Sequence, residues 1–108
     1  MFKATDGGYE AFRSFRPEGG DVWHEVPFAW VGEGTRSRGA IDCVVARSSA
    51  DEAGAPSLSQ LTVVEFKTGQ PRPEHLEQVI RYKEAVASLF PRVPIAAALV
   101  YSDSVMDV

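Results

Sequence analysis

The chain has a single cysteine, Cys43, and two histidines, His24 and His75, in 108 residues. One thiol cannot pair within the chain, nor can it supply the thiolates of an iron–sulfur cluster or a four-cysteine zinc site. A disulfide framework and a cysteine-built metal centre are therefore excluded. Long apolar runs are also missing. The longest uncharged one lies near residues 93–101, well short of the roughly 18–20 residues that span a bilayer. The opening residues Met-Phe-Lys-Ala-Thr-Asp hold no apolar signal segment, so the expected setting is soluble, reducing and cytoplasmic, with no membrane partner. No Gly-x-x-x-x-Gly-Lys-Ser/Thr run occurs, which excludes a phosphate loop and a nucleotide-driven motor. Positive charge is scarce as well: 11 Lys and Arg stand against 15 Asp and Glu, for a net charge of −4. Taken alone, that argues against a nucleic-acid-binding surface, which is usually basic.

What is present fits one ordinary globular domain. The chain is 44% hydrophobic and 24% charged, and a chain of this length builds one core, burying roughly 60–70% of its unfolded surface. Residues 1–108 are read as one domain, with a weakly structured segment over 1–20 and the core over 21–102. In the first segment Tyr9, Phe12 and Phe15 are spaced like one face of a short helix, which Pro17 and Gly19-Gly20 stop. Val22, Trp23, Val26, Phe28, Trp30 and Val31 make residues 21–31 a strand, in which Pro27 implies an edge or a bulge. Residues 32–35 are a turn. Residues 38–47 form a β-branched run expected to be a strand buried on both faces, and Asp42 stands in the middle of it. Residues 48–59, rich in Ser, Ala, Gly and Asp, read as a flexible hairpin connection, and 61–67 as a strand that is apolar at its start and charged at its end. After a turn over 68–72, Pro73 and Glu74 start a helix that runs to Phe90, with Leu76, Val79, Ile80, Val86, Leu89 and Phe90 as its apolar stripe. Residues 95–101 are a final buried strand. The order is β-β-β-α-β after a short N-terminal helix, an α/β arrangement.

Chemistry concentrates in a few positions. Side chains alternate along a strand, so Glu65 and Lys67 project from one face together with Leu61 and Val63. If the hairpin makes the two strands neighbours, Asp42 lies close to Glu65. Two converging carboxylates do not both ionise comfortably unless a cation sits between them. A small set of hard oxygen donors suits Mg²⁺ or Mn²⁺, which keep waters and bind substrate phosphates. A lysine beside such an ion can stabilise charge developing on a phosphate or orient the attacking water. A Glu-x-Lys triplet alone is weak, because it arises by chance on many exposed strands. On the helix Gln78 and Tyr82, four apart, lie on one side away from Val79 and Ile80. The tyrosine can stack on a base or bond a phosphate, or simply pack against a neighbour.

Gly39-Ala40-Ile41-Asp42, Val64-Glu65-Phe66-Lys67-Thr68-Gly69 and Gln78-Val79-Ile80-Arg81-Tyr82, in this order, resemble the PD-(D/E)XK nuclease superfamily, specifically the RecB/AddA-like nuclease domain of UvrD-type helicase-nucleases. The resemblance covers about residues 23–101. It implies a restriction-endonuclease-like core with a mixed four-stranded sheet. Asp42 and Glu65 would be metal ligands with the Phe66 carbonyl as a third, Lys67 the catalytic lysine, and Gln78 and Tyr82 the residues that position DNA. Glu25, in Glu25-Val26-Pro27-Phe28, matches an acidic residue that often precedes the Gly-x-x-Asp strand; a role beside the metal ligands and that of a plain surface glutamate both stay open. The family's upstream histidine has no counterpart in residues 1–20. His24 faces away from its neighbour Glu25, and His75 reads as a surface residue near the site. The activity implied is a Mg²⁺- or Mn²⁺-dependent deoxyribonuclease acting on single-stranded DNA. It would process ends exonucleolytically in double-strand break repair, fed by a helicase motor on the same parent chain or on a partner. On that reading these residues are a fragment or C-terminal part of a larger helicase-nuclease. The other readings are a catalytically silent nuclease-fold domain that binds DNA or protein, and an α/β module in which the matches are accidental. Arg36, Arg38, Lys67, Arg72, Arg81 and Lys83 flank the proposed site in sequence, which allows a local basic rim on an acidic domain.

Overall fold

In the computed structural model, which describes residues 8–11, 17–32, 35–50 and 53–108, strand β1 (Gly8–Ala11) pairs antiparallel with β2 (Val22–Gly32), and β2 with β3 (Thr35–Ala50). Strand β4 (Pro56–Phe66) extends the antiparallel run. Helix α1 (Pro73–Leu89) then carries the chain over the sheet, so that β5 (Ile95–Val100) returns parallel to β4. A helical crossover is the usual way to join parallel neighbours. The short β6 (Val105–Asp107) pairs antiparallel with β5. Among the described residues the result is one mixed sheet of 6 strands in chain order. The α/β class holds, and β2, β3, β4, α1 and β5 follow the expected order. The sheet is wider than four strands because β1 and β6 extend its two edges.

The expectations for the N-terminal segment and for the hairpin connection are corrected. The N-terminal segment is extended over Gly8–Ala11, not helical, with Tyr9 opposite Trp30 and Ala11 opposite Phe28; Phe12 and Phe15 lie outside the described residues. A neighbouring strand edge outweighs a weak spacing signal next to Gly7-Gly8, since glycine disfavours helix. The connection over 48–59 is much shorter than its composition suggests. Ser48, Ser49 and Ala50 pair with Leu58, Ser57 and Pro56, with a bulge between Arg47 and Ser48. Backbone pairing asks little of exposed side chains, so a Ser- and Ala-rich stem can still form a ladder. Gly54, at φ +82°, supplies the left-handed residue of the turn.

The core lies between α1 and one face of the sheet. Val79, Tyr82, Ala85 and Val86 pack on Val26, Phe28, Ile41, Val44, Leu61, Val63, Ala97 and Leu99. The helix stripe differs from the expected one: Leu76 and Ile80 are about 40% exposed, and Tyr82 and Ala85 take core positions. Spacings of three and four from Val79 run on through 82, 85 and 86, whereas residue type selects Ile80, which lies one residue off that line, and Leu76, in the first turn of the helix. Among the described residues no helix covers the opposite face, and none is long and apolar enough to cross a membrane. Strand β3 is therefore not sandwiched between two helical layers. Cys43 is nonetheless buried on the open face, between His24 and Val64 in the register, and burial first, then the Asp42 charge, pushes its thiol up.

One irregularity shapes the site. Strict alternation would set Trp23 and Val26 on opposite faces, yet both pack into the core. Between them Glu25 adopts φ 51°, a left-handed conformation in a residue other than glycine. Ile41 and Val44, their partners on β3, also both face the core, with Asp42 and Cys43 between them. Both strands thus change face at one level. Pro27 pairs with Ala40 two residues beyond the break, and the β2–β3 register passes through without a shift, so among the described residues the irregularity is a change of face and not the bulge that a proline implied.

Candidate active site

The β3–β4 ladder runs down to the pair Cys43 and Val64 and stops there. The next residues along are Asp42 and Glu65, and side chains take over from the backbone. The Asp42 N–H donates to Glu65 Oε2 at 2.8 Å, and the Phe66 N–H donates to Asp42 Oδ2 at 3.0 Å. Each carboxylate thus satisfies a backbone donor on the opposite strand that the ladder leaves over. The juxtaposition expected of Asp42 and Glu65 is what the fold provides. Because an extended residue points its N–H and C=O to the same side, the Phe66 carbonyl also turns toward Asp42, while its side chain lies 55% exposed.

Glu65 continues the core-facing series of Leu61 and Val63 and is 2% exposed. Burial pushes its carboxyl from an ordinary 4.5 up to about 7; the bond from the Asp42 N–H opposes this, the Asp42 charge and a carboxyl–carboxyl hydrogen bond add to it, and the Lys67 charge opposes it. Burial thus favours the protonated form of Glu65 at a place where a cation could stand. Among the described residues no group of three or more His, Cys, Asp or Glu converges. The donors on offer are two carboxylates and one carbonyl, all hard oxygens, which fits an ion that keeps several waters, such as Mg²⁺ or Mn²⁺.

Lys67 follows β4, its N–H donating to the Val100 carbonyl at 2.9 Å. Its ammonium donates to Gln78 Oε1, and Gln78 Nε2 donates to the Tyr82 hydroxyl at 3.0 Å. Gln78 and Tyr82 do share one side of α1. The tyrosine ring, however, is 7% exposed and packs edge-on against Phe28, with centroids 5.0 Å apart at 76°. Burial, then the Glu65 charge, pushes its hydroxyl up. Stacking on a base needs an open ring face, which Tyr82 lacks; packing against a neighbour is what it does. Gly39 makes room for this arrangement, because a Cβ there would lie 2.9 Å from Phe28 Cε1 and 3.5 Å from the Tyr82 oxygen.

The remaining candidates fall around this centre. Glu25 is level with Asp42 but exposed, and among the described residues no hydrogen bond joins it to either carboxylate. His24 pairs with Cys43 on the open face, away from Glu65, and so cannot stand in for an upstream histidine at the site. His75 is more than a surface residue: it is half-buried, and its Nδ1 lies 2.9 Å from the Tyr101 hydroxyl. Sequence reasoning missed that contact, although the three-residue spacing to Gln78 puts His75 on the same side of α1. A groove of about 290 Å³ opens beside the centre, walled by Phe28, Gly39, Gln78 and Tyr82 and carrying both Arg38 and Arg81. Glu74 and Glu77 share its rim. Of the other flanking cations, Lys83 donates to the Val108 carbonyl at 3.3 Å, Arg72 is exposed just before α1, and the Arg36 side chain lies outside the described residues. The chain matches no protein-family model, no curated protein and no solved structure.

Proposed function

We propose that the chain is a metal-dependent deoxyribonuclease module with a restriction-endonuclease-like core. The observation that carries this reading is the juxtaposition of Asp42 and Glu65 where the β3–β4 ladder ends, the Asp42 N–H donating to Glu65 and the Phe66 N–H to Asp42, with Lys67 two residues beyond Glu65. Asp42, Glu65 and the Phe66 carbonyl would hold Mg²⁺ or Mn²⁺, and the ion would supply Lewis acidity toward a phosphate oxygen and water. Lys67 would offset charge gathering on the phosphate. By resemblance the substrate is single-stranded DNA, handed over by a helicase motor on the same parent chain or on a partner during exonucleolytic processing of double-strand ends. A net charge of −4 suits such a division of labour, since general DNA affinity can belong to the motor. The test is degradation of end-labelled single-stranded DNA with Mg²⁺ or Mn²⁺. Asp42→Ala and Lys67→Ala should each lower the rate by about 10²–10⁴, and cutting that survives both substitutions defeats the proposal. A catalytically silent domain would instead bind the strand and leave it intact.

A further inference from the structure

We infer that Gln78 and Tyr82 are positioning residues that hold the ammonium of Lys67, rather than contacts for the DNA strand. This rests on the nuclease reading for its catalytic consequence, and on the geometry of three side chains for the rest. An ammonium only donates hydrogen bonds. The Gln78 amide must therefore turn its oxygen to Lys67, which leaves Nε2 facing the Tyr82 hydroxyl, 3.0 Å away. The phenol oxygen accepts, and the amide is pinned at both ends.

The tyrosine is itself fixed, because its ring is buried against Phe28 and packs over the Cβ-free Gly39. Order thus passes from the core to a rigid ring, from the ring to an amide, and from the amide to the tip of a long flexible side chain. A lysine otherwise has several rotatable bonds and must give up much of its rotamer entropy to hold one place. The arrangement also explains the residue types. Glutamine offers an acceptor and a donor on one planar group, and tyrosine adds an acceptor to a ring that belongs in the core. Four residues on one helix side set the two at bonding distance. A strand-contacting pair would instead present an exposed ring and an amide with free polar ends.

Two measurements on the full chain decide the matter. In the first, ¹⁵N spectra follow the Lys67 ammonium, assigned by its loss in Lys67→Ala. Tyr82→Phe, which keeps the ring and removes only the hydroxyl, and Gln78→Ala should both speed exchange of its protons with water, by about tenfold in the glutamine variant. Unchanged exchange in both overturns the relay. In the second, kcat, KM and the Kd for a single-stranded oligonucleotide are compared. Gln78→Ala should lower kcat by about tenfold or more with KM and Kd within about twofold, and in a Lys67→Ala background it should cost less than about twofold further. A raised KM and Kd with kcat kept assigns the pair to DNA contact and overturns the inference. Should Gln78→Ala fold poorly, Gln78→Met keeps the side-chain volume without its polar ends and answers the same question. If the wild-type chain cuts nothing, the nuclease reading fails alone, because the ammonium exchange still tests the relay without any turnover.

Discussion

Glu65 sits 2% exposed, pressed against a second carboxyl, and that has a consequence for stability. Unfolded, it titrates near 4.5; folded, it holds its proton up to about 7. Below the lower value both states are protonated and the favourable difference is fully present. As pH rises toward the upper value the unfolded chain releases its proton first, so stability falls across that window and levels off above it. At about 1.4 kcal/mol per unit, the loss is on the order of 3 kcal/mol in the absence of metal. Glu65→Gln should remove it, because an amide oxygen can still accept from the Asp42 N–H and its NH₂ can donate to the Asp42 carboxylate. The expected result is a metal-free Tm at pH 8 above that of the wild type by on the order of 10 °C, with little difference near pH 4.5. Calorimetry at the two pH values checks it, and equal melting at pH 8 would refute the account. Added Mg²⁺ at pH 8 should raise the wild-type Tm and leave the variant unmoved, since an ion bound only by the folded state stabilises that state.

At the scale of elements, the site depends on a paired break in two strands. Glu25 at φ 51° stands level with Asp42, and a left-handed residue other than glycine costs on the order of 1 kcal/mol. Glu25→Gly should relieve that strain and stabilise the chain by up to about 1 kcal/mol, read by urea denaturation. A loss of stability would mean that the glutamate side chain contributes contacts of its own. Gly39→Ala should do the opposite: its Cβ would lie 2.9 Å from the Phe28 ring, and overpacking a core typically costs about 1–3 kcal/mol. This is also where sequence legibility divides. The carboxylate in an apolar run, the Glu-x-Lys alternation and the four-residue step from Gln78 to Tyr82 are local patterns, and the fold brings those residues together. The face change at Glu25 and Asp42 is not a local pattern, because a strand that keeps strict alternation and one that breaks it can carry the same apolar residues. Tyr82 was ambiguous for a related reason: a phenol suits a wet groove or a core position with a partner, and only the place of Phe28 and Gly39 decides. The edge strand at Gly8–Ala11 and the paired stem at Ser48–Ala50 owe their form to neighbours far along the chain, so residue type underdetermined both.

At the scale of the whole molecule, the proposed function makes charge the term that sets how the domain would meet DNA. The net charge of −4 produces a repulsive field at long range, so any attraction must come from cations close to the groove. Arg38 and Arg81 both line it, while Lys67 is engaged by Gln78 and Lys83 by the Val108 carbonyl. Glu74 and Glu77 on the same rim weaken even these two. Counterion release lowers log K by about 0.7 per phosphate neutralised on a single strand as log salt rises. With two such contacts the slope should be near −1.4, much shallower than that of a protein that grips a strand along a basic channel. Fluorescence anisotropy with a labelled oligonucleotide over a range of salt, without divalent metal, measures it. Arg38→Ala and Arg81→Ala should each flatten the slope by about 0.7 and weaken binding alike on every sequence, because phosphates carry no base identity. A steep slope that neither variant changes would place the strand on another surface. The shallow slope would make this domain one that cuts what is delivered to it, with the grip on DNA supplied by the motor or partner that the proposed function requires.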